Sequence, residues 1–555
     1  MPLAGYDEEK VMNDTYTETR ETDFEVVVIG AGLSGLAALH HLKSRGVNAI
    51  ALERNPDVGG TWYKNRYPGC RFDSESYTYG YTFSKEVLDE WDWEERYSPQ
   101  PENLRYLQFV TDRLELRGDI RFATTVTGAH WDEDSRTWAV QIVGAAAIRT
   151  RFLMTCLGVF SAPTLPRIPG IGSFNGRSFH TFDWPSEGID LRGKRVAVIG
   201  TGATGVQAIS AITPDVSSLT VFQRRPNWHT PLRNSEISAE EMADIRAHYD
   251  EIFALCATTP GGFVHQPDRR GFRSLTAEER RQFWEDLYRQ PGFRLLLANF
   301  REIFTDREAN EEFSAFVAEK IRDRIVDPEL AEKLVPRDHG FGVQRLPLET
   351  NYYEVYNREN VRLVDLRRTP MVQVTPTGIA TTEEHFELDV IVYATGFDAI
   401  TGPYERLDIR GTQGRLLKDK WVDGPRTFLG ILLREFPNLF MISGPQSSSS
   451  SVNFPRSIET QVDWSMRLFD YLKNSGMTRF EPTADAEEKW VAHVAYLYEM
   501  LLMKDARSWY TGYNSNIPGR ENGAVRYVMY NGGQPKYREM LEQAAANNYG
   551  KLSLS

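Results

Sequence analysis

Cysteine is scarce in this chain: its 555 residues hold three, Cys70, Cys156 and Cys256. No two of them form a C-x-x-C pair, which argues against a redox dithiol and a thiolate zinc knuckle. So few thiols suit a reducing compartment, and no metal site is expected. A basic excess is missing too. Lys and Arg number 64 against 77 Asp and Glu, for a net charge of −13. Nucleic acid is therefore not an expected partner, because phosphate binding needs clustered positive surface. The Arg pairs at 224–225 and 269–270 are too local to alter this. No uninterrupted apolar run approaches the length of a membrane helix. The N-terminal MPLAGYDEEK lacks the apolar stretch of a secretory signal. The expectation is a cytoplasmic protein that does not enter a membrane.

What the chain has in abundance is glycine set in a pattern. DFEVVVIGAGLSGLAALHHLKSRGVNAIALE predicts a strand over Phe24–Ile29, β-branched and apolar as a buried parallel strand requires. Gly30, Gly32 and Gly35 make a turn, Leu33 to Lys43 a helix that Gly46 stops, and Asn48 to Leu52 a second strand that ends at Glu53. GKRVAVIG, TGATGVQAISAI and SLTVFQRR repeat the unit further on. Two such units predict an α/β fold with two Rossmann-like, doubly wound dinucleotide-binding domains. Residues 234–335 turn rich in Glu, Arg, Leu and Phe at helical spacing, as in TAEERRQFWEDLYRQ, and read as a helical insertion in the second domain. The expected division is a flexible arm over 1–22, a first domain from 23–160 and 386–555, and a second from 161–233 and 336–385.

Each turn carries its own chemistry. In G-A-G-L-S-G, Gly30 permits the tight turn, Gly32 lets a pyrophosphate approach the backbone, and Gly35 lets the helix pack on the strand. Ser34 lies within the same turn, and the phosphates meet free N–H groups at the helix start. Glu53 ends the second strand, where a carboxylate accepts from an adenosine ribose hydroxyl. In the second turn, Gly200 to Gly205 with Thr201, Gly202, Ala203 and Thr204, the following strand ends in Arg224 and Arg225. An arginine there favours a ribose 2′-phosphate. The first site thus reads as FAD or NAD and the second as NADP. After Glu53 comes GGTWYKNRYPGCRFDSES, whose Trp62, Tyr63, Tyr67, Phe72 and Tyr77 could wall a flat isoalloxazine or simply pack the core. Arg71 and Asp73 between them are harder to place in a core, since unpaired buried charge is expensive.

Between the two units lies FNGRSFHTFDWP. It is similar to the F-x-G-x-x-x-H-x-x-x-W-P signature of the flavin-dependent Baeyer–Villiger monooxygenases, matched at Phe174, Gly176, His180, Trp184 and Pro185. G-G-T-W-Y-K-N-R-Y-P-G-C-R-F-D, F-G-V-Q-R-L-P-L-E-T-N-Y-Y, Y-A-T-G-F-D and S-W-Y-T-G-Y-N-S-N-I-P-G-R resemble further motifs of that family, so the likeness covers most of residues 24–520. Trp184-Pro185 points to the ketone-oxidising branch; the runner-up is a flavin monooxygenase that oxygenates amines or sulfides. The resemblance implies FAD in the first domain, NADPH in the second, and oxidation of a small-molecule ketone by O₂ to an ester or lactone through a C4a-peroxyflavin, in a monomer. It implies FAD contacts that add Thr61, Trp62, Asp73, Tyr79 and Val126 to the first turn. It adds Arg71, Asp73, Gln344, Arg345 and Trp509 to the NADP side. The residues alone favour for Arg345 a surface ion pair with Glu349 or Asp338; the resemblance instead places Arg345 where the family has its active-site arginine, with Asp73 as partner. His180 is implied to pin the link between the domains, and the Gly444-to-Phe454 loop to face the substrate. Where many relatives have Lys before the arginine, this chain has Gln344, which implies a smaller preference for NADPH over NADH.

Overall fold

The structure, a computed structural model, describes residues 22–449 and 451–555. The expected N-terminal arm lies outside that range except for Thr22, as does Ser450. The run Phe24–Ile29 forms the strand its composition demands, and from Val26 to Ile29 it is buried. It pairs in parallel with Ala49–Leu52 on one side and Ile148–Thr155 on the other. Among the described residues eight strands make this sheet. Two of them arrive late in the chain: Asp408–Arg410 pairs with Val126–Asp132, and Leu439–Met441 with Ile148–Thr155.

A second sheet of five parallel strands runs in the order Val361–Asp365, Ser218–Gln223, Arg195–Ile199, Val390–Tyr393, Arg177–His180. Here one expectation is corrected. The division at 386 assigned Val390–Tyr393 to the first domain, yet this strand lies inside the second sheet, and the chain rejoins the first sheet only at Asp408. The reason is physical: a short strand apolar on both faces has the same pattern in either sheet.

Residues 234–335 fold into helices, the longest being Arg307–Arg322. The helix Ala277–Tyr288 starts at a capping box legible in T-A-E-E: Thr276 accepts from the Glu279 N–H, and the Glu279 carboxylate accepts from the Thr276 N–H at 2.8 Å. An aromatic cluster of Trp284, Phe300, Phe313 and Phe316 holds these helices together. No helix among the described residues is long and apolar enough to cross a membrane.

The two sheets meet through the helix Ala203–Ile212. A side chain at Gly69 would lie 2.6 Å from the Gln207 carbonyl and 2.9 Å from Ala211, so that helix rests directly on the 60s loop of the first sheet. Tyr67 donates to the Gln207 side chain at 2.8 Å, and the Gln207 amide donates to the Arg71 carbonyl at 3.1 Å. The two glycine turns consequently open into one cleft.

Candidate active site between two glycine turns

At the first turn Gly30 has φ +102°, and a Cβ there would stand 2.6 Å from the Cys156 carbonyl. Only glycine suits both the dihedral and the approach. The helix Leu33–Ser44 begins beside Gly32 with no side-chain cap, so its first N–H groups are available to an anion. Glu53 is buried, and its two oxygens accept from the Ala31 N–H at 2.8 Å and the Asn55 N–H at 2.9 Å. The carboxylate is thereby fixed at the mouth of the turn. The second turn copies the first: Gly200 has φ +110°, with the Ala394 carbonyl 2.4 Å from its would-be Cβ. The helix Ala203–Ile212 likewise starts uncapped, at Gly202.

The cleft between the turns has a volume of about 660 Å³. Most of the residues singled out in the sequence line it. Gly30, Gly32, Ser34, Glu53, Thr61, Trp62, Tyr79 and Val126 come from the first sheet and its loops, with Arg71 and Asp73. Gly202, Ala203, Thr204, Gln344, Arg345 and Trp509 close the other side. Gly35 and Gly205 do not line the cleft; they pack inside the turns, their would-be Cβ atoms 1.8 Å and 2.2 Å from the carbonyls of Gly30 and Gly200. Thr201 donates to the Arg225 carbonyl at 3.3 Å. Arg224 and Arg225 do not line the cleft; Arg224 donates to Ser515 and Arg225 to the Arg507 carbonyl.

Of the five aromatics that could wall the cleft or pack the core, Trp62, Tyr67 and Phe72 line it. Tyr63 and Tyr77 do not: Tyr63 carries the Arg66 guanidinium, 4.2 Å from its ring, and Tyr77 takes the alternative of packing against the core. Trp62 donates its indole N–H to Tyr79 at 2.6 Å, and Tyr79 meets Phe72 edge-on at 4.2 Å, so the wall is one connected unit. Phe160, Phe182, Asn227 and Phe397 also line the cleft and were not anticipated. Two of them lie in quoted motifs: Phe397 in Y-A-T-G-F-D, and Phe182 in F-N-G-R-S-F-H-T-F-D-W-P, with Lys64 4.9 Å and Arg54 5.6 Å from its ring.

Arg345 donates to Asp73 across the cleft floor. The alternatives are filled by other residues: Glu349 pairs with Arg324 at 2.7 Å, and Asp338 with His339 at 2.8 Å and Arg225 at 3.4 Å. Arg345 is also held by the Phe293 ring at 5.1 Å and through its carbonyl by Asn227 at 2.8 Å. Burial pushes the Asp73 carboxyl above its usual range, against the pull of Arg345 and Arg71. Beyond this pair opens a smaller chamber of about 80 Å³. It shares Asp73, Arg345 and Trp509 with the cleft, and Phe160, Phe293 and Met529 add apolar wall. Gly444, Ser448, Ser449, Val452 and Phe454 of the serine-rich loop line it as well.

The model for flavin-binding monooxygenase-like proteins matches residues 23–232. Over 539 residues the chain is 43% identical to a 2-oxo-Δ³-4,5,5-trimethylcyclopentenylacetyl-CoA monooxygenase of Pseudomonas putida, covering 96% of this chain and 98% of the relative. It is 40% identical over 540 residues to a Baeyer–Villiger monooxygenase of Pseudooceanicola batsensis, covering 97% of each. This chain belongs to the flavin-dependent Baeyer–Villiger monooxygenase family. A crystal structure of OTEMO complexed with FAD and NADP superposes with a TM-score of 0.93 at 43% identity, over 97% of this chain and 100% of that one.

The family's signature stretch takes a definite place in this Baeyer–Villiger monooxygenase. Arg177–His180 is the edge strand of the second sheet, and a Cβ on Gly176 would stand 2.6 Å from the Asp389 carbonyl. Phe174 joins the apolar cluster below that sheet, and Trp184, buried and followed by Pro185, packs on Phe179 at 4.9 Å. His180 Nδ1 accepts from the Phe182 N–H at 3.0 Å, so Nε2 carries the proton and donates to the Gly396 carbonyl at 3.1 Å. Burial lowers its pKa to about 4 and keeps the ring neutral. The histidine therefore ties the signature stretch to the Y-A-T-G-F-D turn.

Proposed function

We propose that this chain holds FAD at the first glycine turn and NADPH at the second, and oxidises a ketone with O₂ to an ester or lactone. The observation that carries the reading is the Asp73–Arg345 pair, which lines both the nucleotide cleft and the apolar chamber. The residues fit the two cofactors. An uncapped helix start and a buried, fixed Glu53 suit a pyrophosphate and a ribose hydroxyl; a second uncapped start followed by Arg224 suits a nucleotide with a 2′-phosphate. When bound, flavin takes two electrons from NADPH and activates O₂, one oxygen atom entering the product and the other leaving as water.

The rest falls to the protein. The chamber's aromatic walls orient an apolar ketone beside Arg345 and limit water. Arg345 keeps its charge at any working pH and stabilises the negative charge that develops on the carbonyl oxygen. Asp73 fixes the guanidinium's direction, and Trp509, edge-on to Phe160 at 5.2 Å, closes the cleft on the nicotinamide side. We assign FAD to the domain built on Phe24–Ile29 and its late strands, and NADPH to the domain of the five-stranded sheet. Scarce cysteine and a net charge of −13 support a cytoplasmic enzyme, read here as a monomer. The test is Arg345→Ala. The variant should bind FAD and be reduced by NADPH without air, yet make ester or lactone at least about 10²-fold more slowly. Product formation at the wild-type rate would refute the assignment.

A further inference from the structure

Arg224 stands one residue past the strand Ser218–Gln223, as Glu53 stands one residue past Ala49–Leu52. The two residues thus hold equivalent places, facing the ribose end of their nucleotides. Their support differs. Glu53 is held by N–H groups of its own turn and the residues beside it, whereas Arg224 donates through Nη1 to the hydroxyl of Ser515, far along the chain. Among the described residues Arg224 has no carboxylate partner, and its Nε and Nη2 are without acceptors. Arg225 beside it is already committed, to the Arg507 carbonyl at 2.7 Å and to Asp338 at 3.4 Å.

Ser515 belongs to a C-terminal strap over residues 507–526 that crosses from one domain to the other. The strap is anchored on the Y-A-T-G-F-D side. Asn514 donates to the Phe397 carbonyl at 3.0 Å; buried Arg520 donates to Asp398, to Thr401 at 3.0 Å and to Glu405 at 2.5 Å. Ser515 follows an anchored residue, so its hydroxyl is delivered to Arg224 rather than swinging past it.

The hydrogen-bond inventory decides what this arrangement suits. A serine hydroxyl has one proton to give and two lone pairs. Accepting from Arg224 uses a lone pair and leaves the O–H free to donate. A guanidinium offers five N–H groups in a fixed fork. An oxyanion seated on the open edge of Arg224 would therefore meet both the fork and the Ser515 O–H. The Arg225 side is less welcoming, because the Asp338 carboxylate and the Arg507 carbonyl oxygen lie there. Gln344, on the cleft wall, supplies no charge.

Resting on the cofactor reading above, we propose that Ser515 is a specificity-determining residue. Its hydroxyl joins Arg224 in holding the 2′-phosphate of NADPH, so preference for NADPH over NADH depends on the C-terminal strap as well as on the second glycine turn. The experiment is calorimetric titration of the FAD-loaded enzyme with NADP⁺ and with NAD⁺. Ser515→Ala should raise the NADP⁺ Kd about tenfold and leave the NAD⁺ Kd within about twofold. Its flavin spectrum and Tm should match the wild type. Ser515→Thr, which keeps the hydroxyl, should restore NADP⁺ affinity, and Ser515→Ala should add little once Arg224→Ala is present. An unchanged or tighter NADP⁺ Kd in Ser515→Ala, or an equal loss for both nucleotides, overturns the proposal. If Arg224→Ala discriminates normally as well, the cofactor reading falls with it; if Arg224→Ala loses discrimination and Ser515→Ala does not, only the role of Ser515 falls.

Discussion

The two glycine turns share their backbone yet are finished differently. Gly30 and Gly200 take φ +102° and +110° against a neighbouring strand's carbonyl, and Gly35 and Gly205 press on the carbonyls of Gly30 and Gly200. At the first turn, a Cβ on Gly32 would stand 3.2 Å from the Gly60 Cα, and Glu53 is locked by the N–H groups of Ala31 and Asn55. At the second, nothing lies within 4 Å of a Cβ on Gly202, and the charged residue at the strand end leans on a distant strap. The acidic residue of the first cradle is held from within one short stretch of chain, Ala31 to Asn55, and such a cradle suits a prosthetic group that stays. The second is assembled from separate segments and suits a nucleotide that comes and goes.

That contrast can be broken in four ways. Gly35→Ala should have the largest effect. Its Cβ would sit 1.8 Å from a backbone oxygen, so the strand–helix junction must move, at a cost beyond about 3 kcal/mol. The variant should purify colourless or not at all, as absorbance near the flavin band will show. Arg224→Ala should come next, lowering the ratio of kcat/KM for NADPH over NADH about tenfold with flavin content unchanged. Gly202→Ala should separate fold from binding: Tm should stay within about 1 °C because the added methyl meets nothing, while the KM for NADPH rises several-fold as the pyrophosphate loses its close approach. Gln344→Lys should be the mildest, raising the NADPH-to-NADH ratio about threefold through one extra charge near the 2′-phosphate. If Gly202→Ala lowered Tm as much as Gly35→Ala, the two cradles would not differ in the way described.

Much of this contrast was legible before any coordinates. Phe24–Ile29 and the glycines after it follow from apolar β-branching and turn chemistry, both local, and Glu53 and Arg224 follow from their offsets. The Asp73–Arg345 pairing was reachable only through resemblance, since the partners are far apart in sequence and Glu349 and Asp338 offered nearer carboxylates. What stayed hidden was set by tertiary context. Val390–Tyr393 reads as a buried strand but not as a member of a particular sheet. Tyr63 and Tyr77 share the composition of a flavin wall yet face elsewhere, because the single helical turns that carry them, Thr61–Lys64 and Ser76–Thr78, are too short to show a period that assigns a side. Ser515 lies within the quoted S-W-Y-T-G-Y-N-S-N-I-P-G-R stretch, but its hydroxyl becomes informative only once Arg520 and Asn514 are seen to hold the strap in place.

His180 has a consequence for how such a molecule tolerates its surroundings. One ring nitrogen gives and the other receives, so there is no vacancy for an added proton until the medium nears pH 4. The crease between the two halves should keep its set through mild acid. A loss of activity between neutral and weakly acidic conditions would then have to be sought elsewhere than in that joint.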